Sequence, residues 1–590
     1  ALAVCLSLLP TTAQATEHTN HPICGASCTH ASEGKEHTEI TWTAIGSEND
    51  LYETEKDGKG GYYYLTTDIV LSRIWEPADG VTLCLNGHSL TADHDSIETF
   101  DQTVFVDQNR SFTLTDCNGD NGSYTFRKNE NGDKWELVTG NPTGSDDIKV
   151  TGGVITHAVG KTGSGVHVKG TFTMYGGTIA GNRAENGGGV YAVSGGAFVM
   201  YGGTIAGNTT AENGGGINIQ NSSKSSISGG SITKNSAANG YGGGVYAGNT
   251  RNFTISGSAV ISGNSAANGG GVCVDGQSAV VTMTGGTIGG TESDDANTAA
   301  YGGGVYVNNG GMLTMNGSAK VSGNSASNNG GGVYVNNGST LSMSENASVS
   351  GNKSTGDGGG VYVSGGSDGG YSMFTMNGSA SVSGNISGNL VLSGDIYGGG
   401  VYLNDNCTFN LSGSAAIRGN KAYGGTSYGG GVYAYNSTIT MTGGTIGGTE
   451  RDDANTASYG GGVYLDGNST FTMSGGEITG NITRTRGNGG GVYQLGGTFI
   501  MSGSAAVRGN TANVNGGGVY TDGGGKLSMS DSAVIAGNRV EHDTGGSGGG
   551  VYAHNSTIDM TGGTIGGAGS DANTAPYGGG VYLYSRDSYH

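Results

Sequence analysis

From Gly302 to Asn324 the chain reads GGGVYVNNGGMLTMNGSAKVSGN, with apolar positions grouped in short patches: Val305/Val307, Leu313/Met315 and, after Lys320, Val321. In the first two patches apolar and polar residues alternate, the pattern of a short strand with one buried face. Gly, Asn and Ser separate the patches, as turns require. The unit recurs after 28 residues, from Val305 to Val333. Three such strands cannot bury a face alone, but stacked copies can. The pattern therefore predicts an all-β, right-handed parallel β-helix solenoid with three short strands per coil.

The valine or isoleucine after the Gly-Gly-Gly triplet marks each copy: Val190, Ile217, Val245, Val272, Val305, Val333, Val361, Val401, Val432, Val463, Val492, Val519, Val551 and Val581, with Val166 in a degenerate first copy. That gives about 15 regular coils. Intervals run from 24 residues (Val166 to Val190) to 40 (Val361 to Val401), as loops of differing length on a constant core would produce. The second strand pairs an apolar residue with a Met two positions on, as in Phe172/Met174, Phe374/Met376, Phe471/Met473 and Leu527/Met529; 11 of the 13 Met stand there. Core filling by an adaptable side chain accounts for them. The third strand supplies Ile179, Ile205, Ile232, Ile261, Ile288, Val321, Val349 and Val382. It commonly ends in Gly-Asn, at Asn182, Asn208, Asn264, Asn324, Asn352, Asn385, Asn420, Asn481, Asn510 and Asn538. Equivalent asparagines stacked at one bend predict an internal amide ladder.

Residues 39–150 alternate less regularly, in YYYLTTDIVLS, VTLCLNGHSLT, TVFVDQ and SFTLTD, and read as an amino-terminal cap with irregular first coils; 151–590 form the repetitive helix. Cys84 and Cys117 fall where adjacent coils would make them neighbours. The chain ends at VYLYSRDSYH, one strand into a coil, and is expected to be truncated or uncapped there. Residues 1–15, ALAVCLSLLPTTAQA, resemble the tail of a secretory signal peptide, with Ala13-Gln14-Ala15 as a small-x-small cleavage site. Export, and hence a secreted or cell-surface location, is the expectation. A lipoprotein cysteine at Cys5 is the lesser alternative, since Val4 is a poor residue before it.

Residues 16–38 form a polar leader with His18, His21, Cys24, Cys28, His30 and His37. In an exported chain Cys24 and Cys28 suit a small-loop disulfide. The same density of ligands suits zinc, and an unstructured leader is the third reading.

Composition narrows the partners. Gly accounts for 123 of 590 residues, about three times ordinary usage. With only 5 Pro and no three-residue period, the glycine serves turns rather than a triple helix. Twenty-six basic against 47 acidic residues leave a net charge of −21, which argues against nucleic acid and anionic membrane surfaces. No apolar run reaches the roughly 18–20 residues of a membrane span.

In GVYV the valines face in and the tyrosine faces out. Twelve copies carry it, at Tyr191, Tyr246, Tyr306, Tyr334, Tyr362, Tyr402, Tyr433, Tyr464, Tyr493, Tyr520, Tyr552 and Tyr582; Asn218 and Cys273 interrupt the row. An outward tyrosine ladder follows, suited to stacking on sugars or on a protein partner. The plainer account is that stacked tyrosines only stabilise the sheet.

Three coils replace Gly-Asn with Gly-Gly and an acidic insert, placing Asp294/Asp295, Asp452/Asp453 and Asp571 at equivalent bends. These could ligate Ca²⁺ with backbone oxygens, although such residues more often cap turns. Otherwise no cofactor is expected. Asp116, Asn118 and Asp120 open like a calcium loop, but Asn121 stands at its glycine position and Arg127 at its glutamate position, so a solvated turn fits better. For an enzyme, the strongest cluster is Asp93, His94, Asp95 and Asp101, where a solvated loop is the plainer reading. Outward Ser and Thr rows suggest ice binding, but uneven coil lengths spoil a flat lattice.

The alternation of GGGVY with TMSGG and IxGN resembles the adhesin-like right-handed β-helix proteins exported by bacteria, within the pectate-lyase-like superfold. It is also similar to the repeats of polymorphic outer-membrane proteins: Gly358 to Tyr362 stands where their GGAI-type tetrapeptide would, while their companion Phe-x-x-Asn is not regular here. The leader, with LCLNGHSLT and LTDCNG, also resembles surface proteins of Gram-positive bacteria. The resemblance implies surface exposure and a non-catalytic role as an adhesin or glycan-binding rod, with host or environmental glycans or surface proteins as partners. The alternative is a secreted β-helix polysaccharide lyase or hydrolase.

Overall fold

The structure, a computed structural model, describes residues 41–94, 101–117, 122–129, 132, 135–138, 147–222, 224–366, 370–388, 394–484, 486–541 and 545–585. The signal-like segment, Cys24, Cys28 and Asp95 lie outside the described residues. The fold is an all-β, right-handed-type parallel β-solenoid of about 16 turns, with almost no helix. It divides into two compact units: residues 1–184 with 188–209, and 185–187 with 210–590.

In the first unit a parallel column runs through Trp42–Ile45, Gly61–Leu65, Val81–Cys84, Ser111–Thr115, Thr171–Met174 and Ala197–Met200. The registers stack Phe112 on Phe172 and Phe172 on Phe198, with ring centroids 5.4 and 5.3 Å apart. The helix Glu48–Glu53 starts where Ser47 Oγ accepts the Asp50 N–H at 3.2 Å, and it buries Leu51. A feature that the alternation did not predict is an antiparallel sheet of Ser123–Lys128, Trp135–Val138 and Ile148–Thr151. It packs Phe126, Trp135, Ile148 and Val150 against Val154, Ala180 and Ala206 of the coils.

In the second unit the stretch Gly302–Asn324 folds as the repeat demands. Val305–Asn308, Met312–Met315 and Lys320–Ser322 are its three strands, and the structure adds a short fourth, Ser325–Ala326, after the asparagine. Each strand pairs in parallel with its counterpart one turn on, Val305 with Val333, Leu313 with Leu341 and Val321 with Val349. Val305, Val307, Leu313, Met315 and Val321 are buried; each such side chain contributes roughly 1.5–3 kcal/mol of transfer free energy. The same layers repeat to Val551–His554.

The glycine triplet has a separate reason at each position. Gly302 sits at φ +64°, in the left-handed region. A Cβ on Gly303 would lie 2.4 Å from the Ser325 carbonyl oxygen. On Gly304 it would lie 2.7 Å from the Gly332 oxygen and 2.8 Å from Asn324 Nδ2. At these two positions the backbone thus passes too close to the bend asparagine and the next turn to admit a side chain.

The amide ladder is present, and it is longer than the Gly-Asn motif indicates. In the second unit it runs through Asn235, Asn264, Asn297, Asn324, Asn352, Asn385, Asn420, Asn455, Asn481, Asn510, Asn538 and Asn573, each Nδ2 donating to the next Oδ1 at 2.9–3.1 Å. Asn297, Asn455 and Asn573 come from the acidic inserts, which loop out as 3₁₀ turns at Ser293–Asp295, Arg451–Asp453 and Gly569–Asp571 and return an asparagine to the ladder.

Candidate binding surface

Backbone pleating carries each GVY tyrosine to the outer side of its strand, and parallel pairing in exact register lays ring over ring. From Tyr306 to Tyr582 ten consecutive rings stack with centroids 4.6–5.4 Å apart. The row faces away from the core, as the sequence indicates. Its ring faces, however, are occupied by neighbouring rings: Tyr433 and Tyr464 are only 4% exposed. A spacing of one strand falls within the centroid separations that aromatic pairs prefer, so a continuous ladder leaves ring edges and hydroxyls, not faces, for any ligand. Burial raises the phenol pKa from Tyr306 to Tyr552, to about 12 for Tyr306 and further for Tyr362 and Tyr402. Two hydroxyls donate to carboxylates on the following turn, Tyr246 to Asp275 at 2.9 Å and Tyr433 to Asp466 at 2.7 Å.

Where the row breaks, the substitutes are packed. Cys273 is buried between Tyr246 and Tyr306. Asn218 donates to Asn186 Oδ1 at 3.0 Å. In the first unit the same position holds Phe105, His167 and Tyr191, with adjacent centroids 5.2 and 5.1 Å apart.

A second row of tyrosines covers the first, and sequence reasoning missed it. Tyr241, Tyr301, Tyr397, Tyr428, Tyr459 and Tyr577 each immediately precede a glycine triplet, so the signal was YGGGVY rather than GGGVY. Three of them are contiguous. Tyr397 pairs with Tyr428 in a short extra two-stranded sheet, and Tyr428 bridges to Tyr459. Their centroids lie 5.1 and 5.6 Å apart, and the rings lean on first-row Tyr433, Tyr464 and Tyr493 at 54–76°. All three are half-buried. This edge-on second row presents aromatic surface that the closed first row does not.

The acidic bends do not converge. Asp294/Asp295, Asp452/Asp453 and Asp571 share ladder turns with Asn297, Asn455 and Asn573, which are five and four ladder steps apart. At about 4.8 Å per step, that is roughly 20 Å between bends. Asp453 lies 3.6 Å from Arg418 and Asp571 lies 3.3 Å from Arg508. The backbone carbonyls of Asp295, Asp453 and Asp571 accept N–H bonds from Gly263, Gly419 and Gly537. Turn capping and cross-turn pairing are what these bends display. Among the described residues no group of three or more His, Cys, Asp or Glu is placed to hold a metal ion.

Asp116 caps two turns, accepting from the Gly87 N–H at 2.9 Å and the Gly153 N–H at 2.6 Å; Asn118, Asp120 and Asn121 lie outside the described residues. Of the carboxylate cluster, His94 Nδ1 lies 3.1 Å from Asp101 Oδ1, and Asp93 lies 3.9 Å from Lys161. Nearby His157, which the sequence did not single out, is buried with Nδ1 2.7 Å from Asn182 Oδ1; burial pushes its pKa down to about 4. This histidine continues the amide ladder of its unit, where Asn182 Nδ2 donates to Asn208 Oδ1 at 2.9 Å.

Set against known proteins, this chain matches no protein family, no curated protein and no solved structure.

Proposed function

We propose that this chain is an exported bacterial cell-surface protein that binds glycans or surface proteins without chemical turnover, using the two-row tyrosine strip as its contact surface. The observation that carries this reading is the run Tyr397, Tyr428 and Tyr459, half-buried rings held edge-on over the closed ladder and repeated at the spacing of the turns. Aromatic surface with a phenolic hydroxyl suits the apolar faces and hydroxyls of a sugar, or an extended peptide. Acidic flanking groups such as Asp395 and Asp466 favour neutral or basic ligands over polyanions.

The test is a glycan array with the purified chain, run beside a reducing-sugar release assay on the bound glycans. Binding without release is expected; release of reducing ends would replace this reading with the polysaccharide lyase or hydrolase. Substituting Tyr397, Tyr428 and Tyr459 together by Ser removes the contiguous run of the second row and leaves every first-row ring. Binding should then fall by at least tenfold with the circular dichroism spectrum unchanged, and undiminished binding would remove the strip from the proposal.

A further inference from the structure

The strongest unassigned chemistry in the molecule is a pair of thiols on adjacent turns of the first unit. Cys84 ends the strand Val81–Cys84, and Cys117 follows the strand Ser111–Thr115 that pairs with it in parallel. The register sets Cys84 opposite Thr115, and the chain then bends so that Cys117 comes back over it. The two Sγ atoms are 2.9 Å apart, and the Cys117 backbone N–H points at Cys84 Sγ at 3.2 Å. Cys84 is fully buried beside Trp42 and Tyr64, whereas Cys117 is half-buried and reachable from solvent. The other two described cysteines, Cys273 and Cys407, are both buried in the second unit.

We propose that Cys84 and Cys117 are a redox site that closes a cross-turn disulfide, tying two turns of the amino-terminal region together. Two sulfurs already in contact across a parallel ladder need only small side-chain rotations to reach bonding geometry. The oxidant is a disulfide: a dithiol–disulfide oxidoreductase or a small-molecule disulfide such as oxidised glutathione. The exposed partner reacts first. Cys117 gives its proton to solvent, and its thiolate attacks one sulfur of the oxidant, forming a mixed disulfide and expelling the other sulfur as a thiolate. Cys84 then gives up its proton and attacks Cys117 Sγ; the Cys84–Cys117 bond forms and the oxidant's second sulfur leaves with the electron pair. Two S–H bonds are lost, one S–S bond is made, and the oxidant's disulfide takes up two electrons and two protons as two thiols. The hydrogen bond to Cys117, followed by burial, holds the Cys84 thiol protonated well above the usual range, consistent with Cys84 as the resolving partner rather than the first nucleophile.

The inference is independent of any ligand the tyrosine strip binds, and its test uses the whole chain. The folded protein is incubated with oxidised glutathione, remaining thiols are alkylated under native and then denaturing conditions, and the digest is read by mass spectrometry. The expected result is one linked peptide joining Cys84 to Cys117, lighter than the reduced pair by two hydrogens, with Cys273 and Cys407 alkylated only after denaturation. In the Cys84→Ser variant the glutathione adduct should persist on Cys117, because the resolving thiol is gone. Recovery of Cys84 and Cys117 as two alkylated thiols, or a link from Cys117 to Cys24 or Cys28, would overturn the proposal.

Discussion

Removing one rung of the amide ladder should cost far more than deleting a small polar side chain ordinarily does. Asn324 is fully buried, and its side chain makes five hydrogen bonds. Oδ1 accepts from the Asn297 backbone N–H at 3.3 Å and from Asn297 Nδ2 at 2.9 Å. Nδ2 donates to the carbonyls of Ile288 and Ser322 and to Asn352 Oδ1. In Asn324→Ala, Asn297 Nδ2 keeps the Ile261 carbonyl at 2.8 Å, and Asn352 Oδ1 keeps the Asn324 backbone N–H at 2.9 Å. The Asn297 backbone N–H and the Ile288 carbonyl lose their side-chain partner in a dry interior. At roughly 1–3 kcal/mol for each unsatisfied buried group, the loss is about 3–4 kcal/mol. Because each turn interacts chiefly with its neighbours, unfolding of such an array is not a single step, so the loss should be local. Hydrogen exchange reads it directly: the Asn297 amide should lose two to three orders of magnitude of protection, while amides five turns away keep theirs. Asn324→Asp sharpens the test, since it keeps an acceptor, removes the donor and buries a charge at neutral pH. That variant should be worse than the alanine at pH 7 and recover on acidification. A loss below ~1 kcal/mol with Asn297 still protected would refute the ladder as a structural spine.

Two titrations and one steric substitution provide further checks. Burial raises the Asp357 carboxyl to about 6, partly offset by the Tyr397 N–H at 2.9 Å. The folded state therefore holds a proton that the unfolded chain has released, and stability falls as pH rises from about 4 to 6. Asp357→Asn keeps an acceptor for Tyr397 and should gain about 3 kcal/mol above pH 6 and flatten that slope in a denaturant series. His157 and His167 are both pushed down to about 4 by burial, so their contribution is complete above the ordinary histidine range and is lost as pH falls from about 6.5 to 4. Thermal melts of a fragment or variant reporting on the first unit should show this acid loss, and His157→Gln should remove part of it. Gly304→Ala should destabilise its turn by several kcal/mol, because a Cβ 2.7 Å from the Gly332 oxygen meets backbone on a neighbouring turn that is itself fixed by pairing; a melting temperature within a degree of the parent would contradict that.

The repeat was legible because one physical requirement, a buried face on each short strand, is written in every copy. Val305, Leu313, Met315 and Val321 declare themselves by alternation, and Asn324 by recurrence at the bend. Elements outside the periodicity were not legible. Asn297, Asn455 and Asn573 escaped as ladder members because the inserts move them out of the Gly-Asn motif, although each stands five residues before the first glycine of the next triplet, as Asn264 does. The antiparallel sheet over 123–151 escaped for another reason: alternation gives strands but not the direction in which they pair. The tyrosine ladder was found, yet its burial was not. Alternation places a side chain on the outer side of a strand, while ring-on-ring stacking along the axis depends on the exact register between turns.

That burial bears on where recognition can reside. A feature repeated identically on every turn satisfies the turn itself: the first-row tyrosines shield the sheet that carries them, as the asparagines satisfy the bend. Specificity for something outside requires features that differ from turn to turn. Among the described residues of the second unit these include the second-row tyrosines, present before only some of the triplets, and the acidic 3₁₀ turns, present on three. The 3₁₀ turns spend their backbone carbonyls on the preceding coil, and two of their carboxylates lie beside arginines. The second-row rings of Tyr397, Tyr428 and Tyr459 have one face or edge on the ladder and the remainder toward solvent. Among the described second-row residues, only Tyr397, Tyr428 and Tyr459 are contiguous across successive turns. A ligand lying along the turns would meet three successive rings there and isolated rings elsewhere, which is why the triple serine substitution belongs at those positions rather than within the ladder.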